Sequence, residues 1–202
     1  MAELIYVADP MCSWCYAFGP ELDEVRGEAG LSVRLVMGGL FVRDRRRKLD
    51  DELREYLRQT WTRVAGMSGR PVEFTLLDRA SWTYDTELAC RAVVWCRNNE
   101  PHAALDFFSA VQSAFYADNA DVTNAATLSA IADRCDLDGD ALLDALATDE
   151  LATATLRDFD EANALGAEGF PLLLLDTGRE RIPVATGYAR AASVLRSLRA
   201  FQ

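Results

Sequence analysis

Leu4-Ile5-Tyr6-Val7 is a continuous apolar run of strand length and reads as a buried strand. Asp9-Pro10 ends it, because proline cannot continue a ladder and restricts the residue before it. A helical stretch runs from Cys12 toward Arg26; Pro20 should kink it and Gly30 stop it. Residues 31–37 predict a second strand, with Val33, Leu35 and Met37 on one face and Gly38-Gly39 closing it. From about 49 to 165 the spacing is mainly helical. Asp50-Asp51-Glu52 places acid in a first turn, and Leu53, Tyr56, Leu57, Thr60 and Trp61 recur on one face until the glycines at 66 and 69. Residues 70–84 read as irregular or extended. Asp85 or Thr86, Thr123 and Asp149 are the expected caps of later helices, and Pro101 suits the first turn of another. Asp138-Gly139-Asp140 leads into a short helix with Leu142, Leu143 and Leu146. Strand character returns at 172–175 and 182–186, joined by a Thr177-Gly178-Arg179-Glu180 turn, and a helix over 190–201 closes the chain.

The order is β-α-β, a helical block, then α-β-β-α. Strands at the two ends of the sequence need each other to form a sheet. The fold class is therefore α/β with a large all-helical insertion. Residues 1–48 and 149–202 form one discontinuous domain and 49–148 the insertion.

Half of the 202 residues are hydrophobic, enough for a well-packed core. The net charge of −11 argues against a nucleic-acid partner, whose phosphates need clustered Lys and Arg. The one basic run, residues 43–48 broken by Asp44, reads as a solvated loop before a helix. No run approaches the ~20 apolar residues of a membrane helix. Met1-Ala2-Glu3 lacks the basic start of a signal peptide, so the expected location is cytoplasmic. Five cysteines is an odd number for a disulfide scaffold; in a reducing compartment a close pair points to catalysis or metal binding.

That pair is Cys12 and Cys15. Cys12 follows a strand and opens a helix, where free backbone N–H groups and the positive dipole end favour a thiolate. Two intervening residues let the second sulfur reach the first across one turn. Cys12 would then attack a substrate disulfide, and the more buried Cys15 would resolve the mixed disulfide. A zinc site competes, but it needs two more ligands. The sole histidine is His102, and Cys90, Cys96 and Cys135 form no second C-x-x-C. A purely structural pair is the other reading; the strand–CxxC–helix context favours redox chemistry over both. No metal or cofactor is expected.

Asp9-Pro10-Met11-Cys12-Ser13-Trp14-Cys15-Tyr16 resembles the active-site segment of DsbA-like, thioredoxin-fold proteins, nearest the cytoplasmic bacterial branch of predicted protein-disulfide isomerases close to FrnE-like proteins. Gly169-Phe170-Pro171-Leu172 resembles that family's cis-proline loop, and Pro20 its helix-kinking proline. The resemblance spans nearly the whole chain. It implies a thioredoxin-like domain with a helical insertion that caps the site. It implies dithiol–disulfide exchange at Cys12 and Cys15, with substrate held by Ser13, Trp14, Phe170 and Pro171. The partner would be a disulfide-containing protein or a small thiol such as glutathione. Two features depart from the family pattern. Ser13-Trp14 places no histidine beside Cys12, which points away from a strong oxidant and toward reduction or isomerisation. Phe170 replaces a smaller residue before the proline, which narrows or greases the groove.

Other residues take ordinary roles in this reading. Tyr16, Phe18 and Phe41 are core or groove wall, Asp9 is a turn residue, and His102 is remote from the chemistry. Cys90 and Cys96 are about 120° from alignment on one helix; with Cys135 they are small buried hydrophobes. Two other activities share this architecture or fit the groove. One is glutathione-dependent transfer or isomerisation of the kappa or chromene-carboxylate isomerase type. The other is a non-enzymatic peptide-binding, chaperone or redox-sensing module. The sequence leaves the oligomeric state open.

Overall fold

The computed structural model describes residues 2–201. Its main sheet has the strand order β2 (Val33–Met37), β1 (Glu3–Ala8), β5 (Leu172–Asp176), β6 (Arg181–Thr186). β1 runs parallel to β2, with Tyr6 opposite Leu35, and antiparallel to β5, with Tyr6 opposite Leu173. The two ends of the chain thus complete one sheet, as the strand pattern requires. After Glu3, β1 is apolar from Leu4 to Ala8 because both its faces are covered there. Leu4, Tyr6 and Ala8 enter the main core, while Ile5 and Val7 face a smaller one with Val36, Leu172, Leu174 and Ala162.

α1 (Ser13–Ala29) and α8 (Ala191–Arg199) pack together on the main-core side, and α7 (Asp149–Ala164) covers the other face. Between β2 and α7 lie α2 (Asp51–Ser68), α3 (Glu87–Asn99), α4 (Ala104–Tyr116), α5 (Ala125–Arg134) and α6 (Gly139–Leu146). Their apolar faces share the main core with the sheet. Trp61, Phe107, Phe115 and Tyr116 are fully buried among the residues it contains.

Several local expectations change. A two-stranded ribbon, β3 (Arg47–Lys48) with β4 (Thr83–Tyr84), joins the loop after β2 to the stretch before α3. Two-residue strands carry no periodicity, so the basic run reads as loop from sequence. Tyr56, on the recurring face of α2, is exposed. The side-chain caps are Asn124 and Thr148 in place of Thr123 and Asp149. Thr86 occupies a cap position without capping. Its hydroxyl donates instead to Asp9, and the Asp85 carboxylate accepts the Glu87 N–H. Pro101 precedes α4 by a turn. No helix among the described residues is long and apolar enough to cross a membrane.

Candidate active site

Cys12 is the N-cap of α1, with extended backbone (φ −85°, ψ 116°). Its sulfur replaces the usual capping oxygen and accepts the Cys15 N–H at 3.3 Å. The Cys12 thiol donates to the Phe170 carbonyl oxygen, with Sγ 3.6 Å away. Both cysteines are free thiols. Cys12 is 4% exposed and Cys15 fully buried; burial, and then the adjacent Cys12 sulfur, push the Cys15 thiol well up.

The Phe170–Pro171 peptide is cis. The loop it belongs to is tied to the end of β6 by the Gly187 N–H, which donates to the Pro171 carbonyl at 2.7 Å. The Phe170 ring lies against Gly38 at the end of β2, where a Cβ would approach it to 2.1 Å. Only glycine leaves that space. Trp14, Phe170, Tyr188, Gly187, Met67 and Arg63 line an apolar groove of about 430 Å³. Trp14 and Tyr188 face each other at 6.3 Å. Ser13 is buried in the first turn, and neither it nor Pro171 lines that groove. The geometry therefore brings Cys12, Cys15, Trp14 and Phe170 together. His102 belongs to two other cavities that contain none of them.

The loop before Cys12 is held by buried polar groups from distant elements. Asp9 is fully buried and accepts four hydrogen bonds. Met11 N–H binds its Oδ1 at 2.8 Å; Leu40 N–H (2.7 Å), Thr86 Oγ1 (2.7 Å) and Cys90 Sγ (3.4 Å) bind its Oδ2. Burial raises the Asp9 pKa, and its hydrogen bonds only partly oppose this. Asp9 is thus more than a turn residue, and Cys90 is more than a small hydrophobe: its thiol is a donor in the network. The Met11 carbonyl accepts from both Tyr84 and Tyr116 hydroxyls. Burial pushes the pKa of both tyrosines well up, so they remain donors.

α1 is braced one turn further on. Pro20 has no N–H, so the Tyr16 carbonyl lacks its helical partner. Arg70, just after α2, supplies one: Nη1 donates to Tyr16 O at 2.7 Å and Nη2 to Ser113 Oγ at 3.2 Å. Its guanidinium lies 3.6 Å over the Tyr16 ring, and the Tyr16 hydroxyl donates to Pro71 O at 2.9 Å. Gly19 admits the arginine, since a Cβ there would meet Nη1 at 2.9 Å. The motif itself was legible in the sequence. These supports were not, apart from the hint of an Asp directly ending a buried strand. Among the described residues no group of three or more His, Cys, Asp or Glu could hold a metal ion.

Residues 3–197 match the model of the DSBA-like thioredoxin domain. A protein from Nitrosomonas europaea, provisionally described as a protein disulfide isomerase, is 32% identical; the match covers 99% of this chain and 97% of that one, with a TM-score of 0.90. The cytosolic disulfide reductase DsbM from Pseudomonas aeruginosa is 24% identical over 98% of each chain, with a TM-score of 0.81. Its structure with GSH is 25% identical, covering 88% of this chain and 91% of that chain, with a TM-score of 0.72. No curated protein matches. The fold is thus the thioredoxin-like α/β fold of DsbA relatives, and this chain belongs to the family of DSBA-like thioredoxin domains.

Proposed function

We propose that the protein is a dithiol–disulfide oxidoreductase that reduces or isomerises disulfides in the cytoplasm, with Cys12 as nucleophile and Cys15 as resolving thiol. The observation that carries this is the Cys12 sulfur at the α1 N-terminus, which accepts the Cys15 N–H and lies beside the Phe170 carbonyl. In the first step the Cys12 thiolate forms a bond to one substrate sulfur, and the substrate S–S bond breaks. The second substrate sulfur leaves as a thiolate and takes a proton. Cys15 then loses its proton and attacks the Cys12 sulfur, forming the Cys12–Cys15 disulfide and releasing the first substrate sulfur as a thiol. The substrate gains two electrons and two protons. A reduced thiol such as glutathione returns the protein to the dithiol.

Burial suits Cys15 to its second place. A thiol held protonated does not compete for the incoming disulfide. Substrate contacts are assigned to Ser13, Trp14, Phe170 and Pro171, and residues 49–148 are read as an insertion that roofs the domain of residues 1–48 and 149–202. The described neighbours from N. europaea and P. aeruginosa support isomerase or reductase chemistry over oxidation, as does a motif without histidine.

The test is reduction of a protein disulfide by wild type, Cys12→Ser and Cys15→Ala. Cys12→Ser should lose all turnover. Cys15→Ala should stall as a mixed disulfide, visible by mass spectrometry as a substrate adduct on Cys12. Full turnover by Cys15→Ala on a glutathione-dependent isomerisation would instead favour the isomerase reading. Equal disulfide reduction by wild type and Cys12→Ser would favour a binding module.

A further inference from the structure

α2 carries three arginines, Arg54, Arg58 and Arg63. Arg54 faces Asp51 and Arg58 faces Asp78. Arg63 has no carboxylate partner among the described residues. The sequence explains why: its neighbours three and four positions away on the helix are Gln59, Thr60, Gly66 and Met67. Yet Arg63 lines the same groove as Trp14, Phe170 and Tyr188, and the Phe170 carbonyl accepts the Cys12 thiol. Arg190, whose guanidinium lies 5.6 Å from the centre of the Tyr188 ring, is already engaged. It pairs with Glu21 at 2.8 Å, and the same carboxylate takes the Tyr188 hydroxyl at 2.9 Å and the Ala191 N–H at 2.8 Å. Other arginines also lack an acid partner; what sets Arg63 apart is its place on the wall of an apolar groove that is otherwise without charge.

We infer that Arg63 is a specificity-determining residue that selects peptide-sized disulfides carrying a carboxylate close to the S–S bond. This rests on the dithiol reading of Cys12 and Cys15. The aromatic walls would take the apolar part of such a ligand, and the guanidinium would take its carboxylate as a charge-assisted pair. A neutral disulfide of the same size would gain only the apolar contact. The chemistry itself, at Cys12, is the same for both.

The experiment compares kcat/KM on two small disulfides, anionic glutathione disulfide and neutral bis(2-hydroxyethyl) disulfide, for wild type, Arg63→Gln and Arg63→Lys, with Cys12→Ser as the blank. The preference for the anionic over the neutral substrate should fall about tenfold in Arg63→Gln, chiefly through KM, and be partly kept in Arg63→Lys. The anionic KM should rise with salt in wild type and lose most of that dependence in Arg63→Gln. An unchanged preference in Arg63→Gln, or an equal loss on both substrates, overturns the assignment of Arg63 while leaving the dithiol reading intact. Turnover of the neutral disulfide that does not depend on Cys12 overturns the dithiol reading itself.

Discussion

Asp9 shows how a residue next to a legible motif acquires its role from residues that are far away in sequence. Its carboxylate joins groups 31, 77 and 81 positions distant, Leu40, Thr86 and Cys90, to the loop that presents Cys12. All four partners are donors, so a carboxylate, which only accepts, fits the site and an amide does not. Asp9→Asn would turn an NH₂ toward donors and leave at least one of them unpaired, costing about 1–3 kcal/mol in a urea titration at neutral pH. The pH dependence has a definite sign. The folded carboxyl holds its proton to higher pH than the unfolded one, whose ordinary value is about 3.9. The folded state therefore binds more protons across that window, and this group's contribution to stability falls as pH rises from about 4 through the raised folded value. Comparing denaturation midpoints of wild type and Asp9→Asn from pH 4 to 8 isolates it: the difference between the two should change with pH across that window. A constant difference would show that Asp9 keeps an ordinary carboxyl pKa. Cys12 and Cys15 were readable because their chemistry lies in a four-residue spacing. Asp9, Tyr84 and Tyr116 were not, because a hydrogen bond between distant elements leaves no period in the chain.

At the scale of one element, α1 is a helix that a proline should weaken at the turn after the redox motif. It nevertheless continues to Ala29 and ends at Gly30, whose left-handed backbone (φ 63°) suits glycine. The Arg70 guanidinium occupies the acceptor that Pro20 leaves open, so the helix start is tied to the segment after α2. Pro20 and Gly30 were visible as punctuation. Arg70, 54 residues from Tyr16, was not. Arg70→Ala should cost about 1–3 kcal/mol, since it strands a buried carbonyl and removes packing on Tyr16. The same loss should be partly recovered by Pro20→Ala, which restores an N–H able to reach the Tyr16 carbonyl. A double-mutant cycle in urea should therefore give a coupling of about 1 kcal/mol between Pro20 and Arg70. Additive effects would mean that Arg70 acts through the Tyr16 ring alone and not through the carbonyl.

Across the whole molecule, the continuous apolar run of β1 and the strands returning after residue 172 foretold a sheet built from both ends of the chain. They did not foretell how that sheet protects its two edges, one of which depends on side chains from other layers. At the β6 edge, Pro183 lacks a donor and lies by the register shift at Leu173/Leu174, so the strand is poorly suited to pair with another chain. At the β2 edge, the Leu35 carbonyl accepts from Arg97 Nη1 at 2.8 Å and the Met37 N–H donates to Asp158 Oδ2 at 2.9 Å. Arg97 and Asp158 also bind each other through two hydrogen bonds, of 2.6 and 2.8 Å. One ion pair, from α3 and α7, thus satisfies two of the strand's outward backbone groups and locks helices from opposite layers to it. Removing either partner leaves the other charge with its carboxylate or guanidinium unmatched in a site where Asp158 is 7% exposed, and should cost about 3 kcal/mol. Stability alone does not separate an edge guard from an ordinary buried pair. Arg97→Met with Asp158→Leu does, because apolar packing can restore stability while the strand's outward carbonyl and N–H stay unpaired. That double variant should recover much of its urea midpoint yet self-associate with rising concentration, read by light scattering. If it is both stable and monomeric at the concentrations tolerated by wild type, the pair is a fastening between helices and not a guard of the sheet edge.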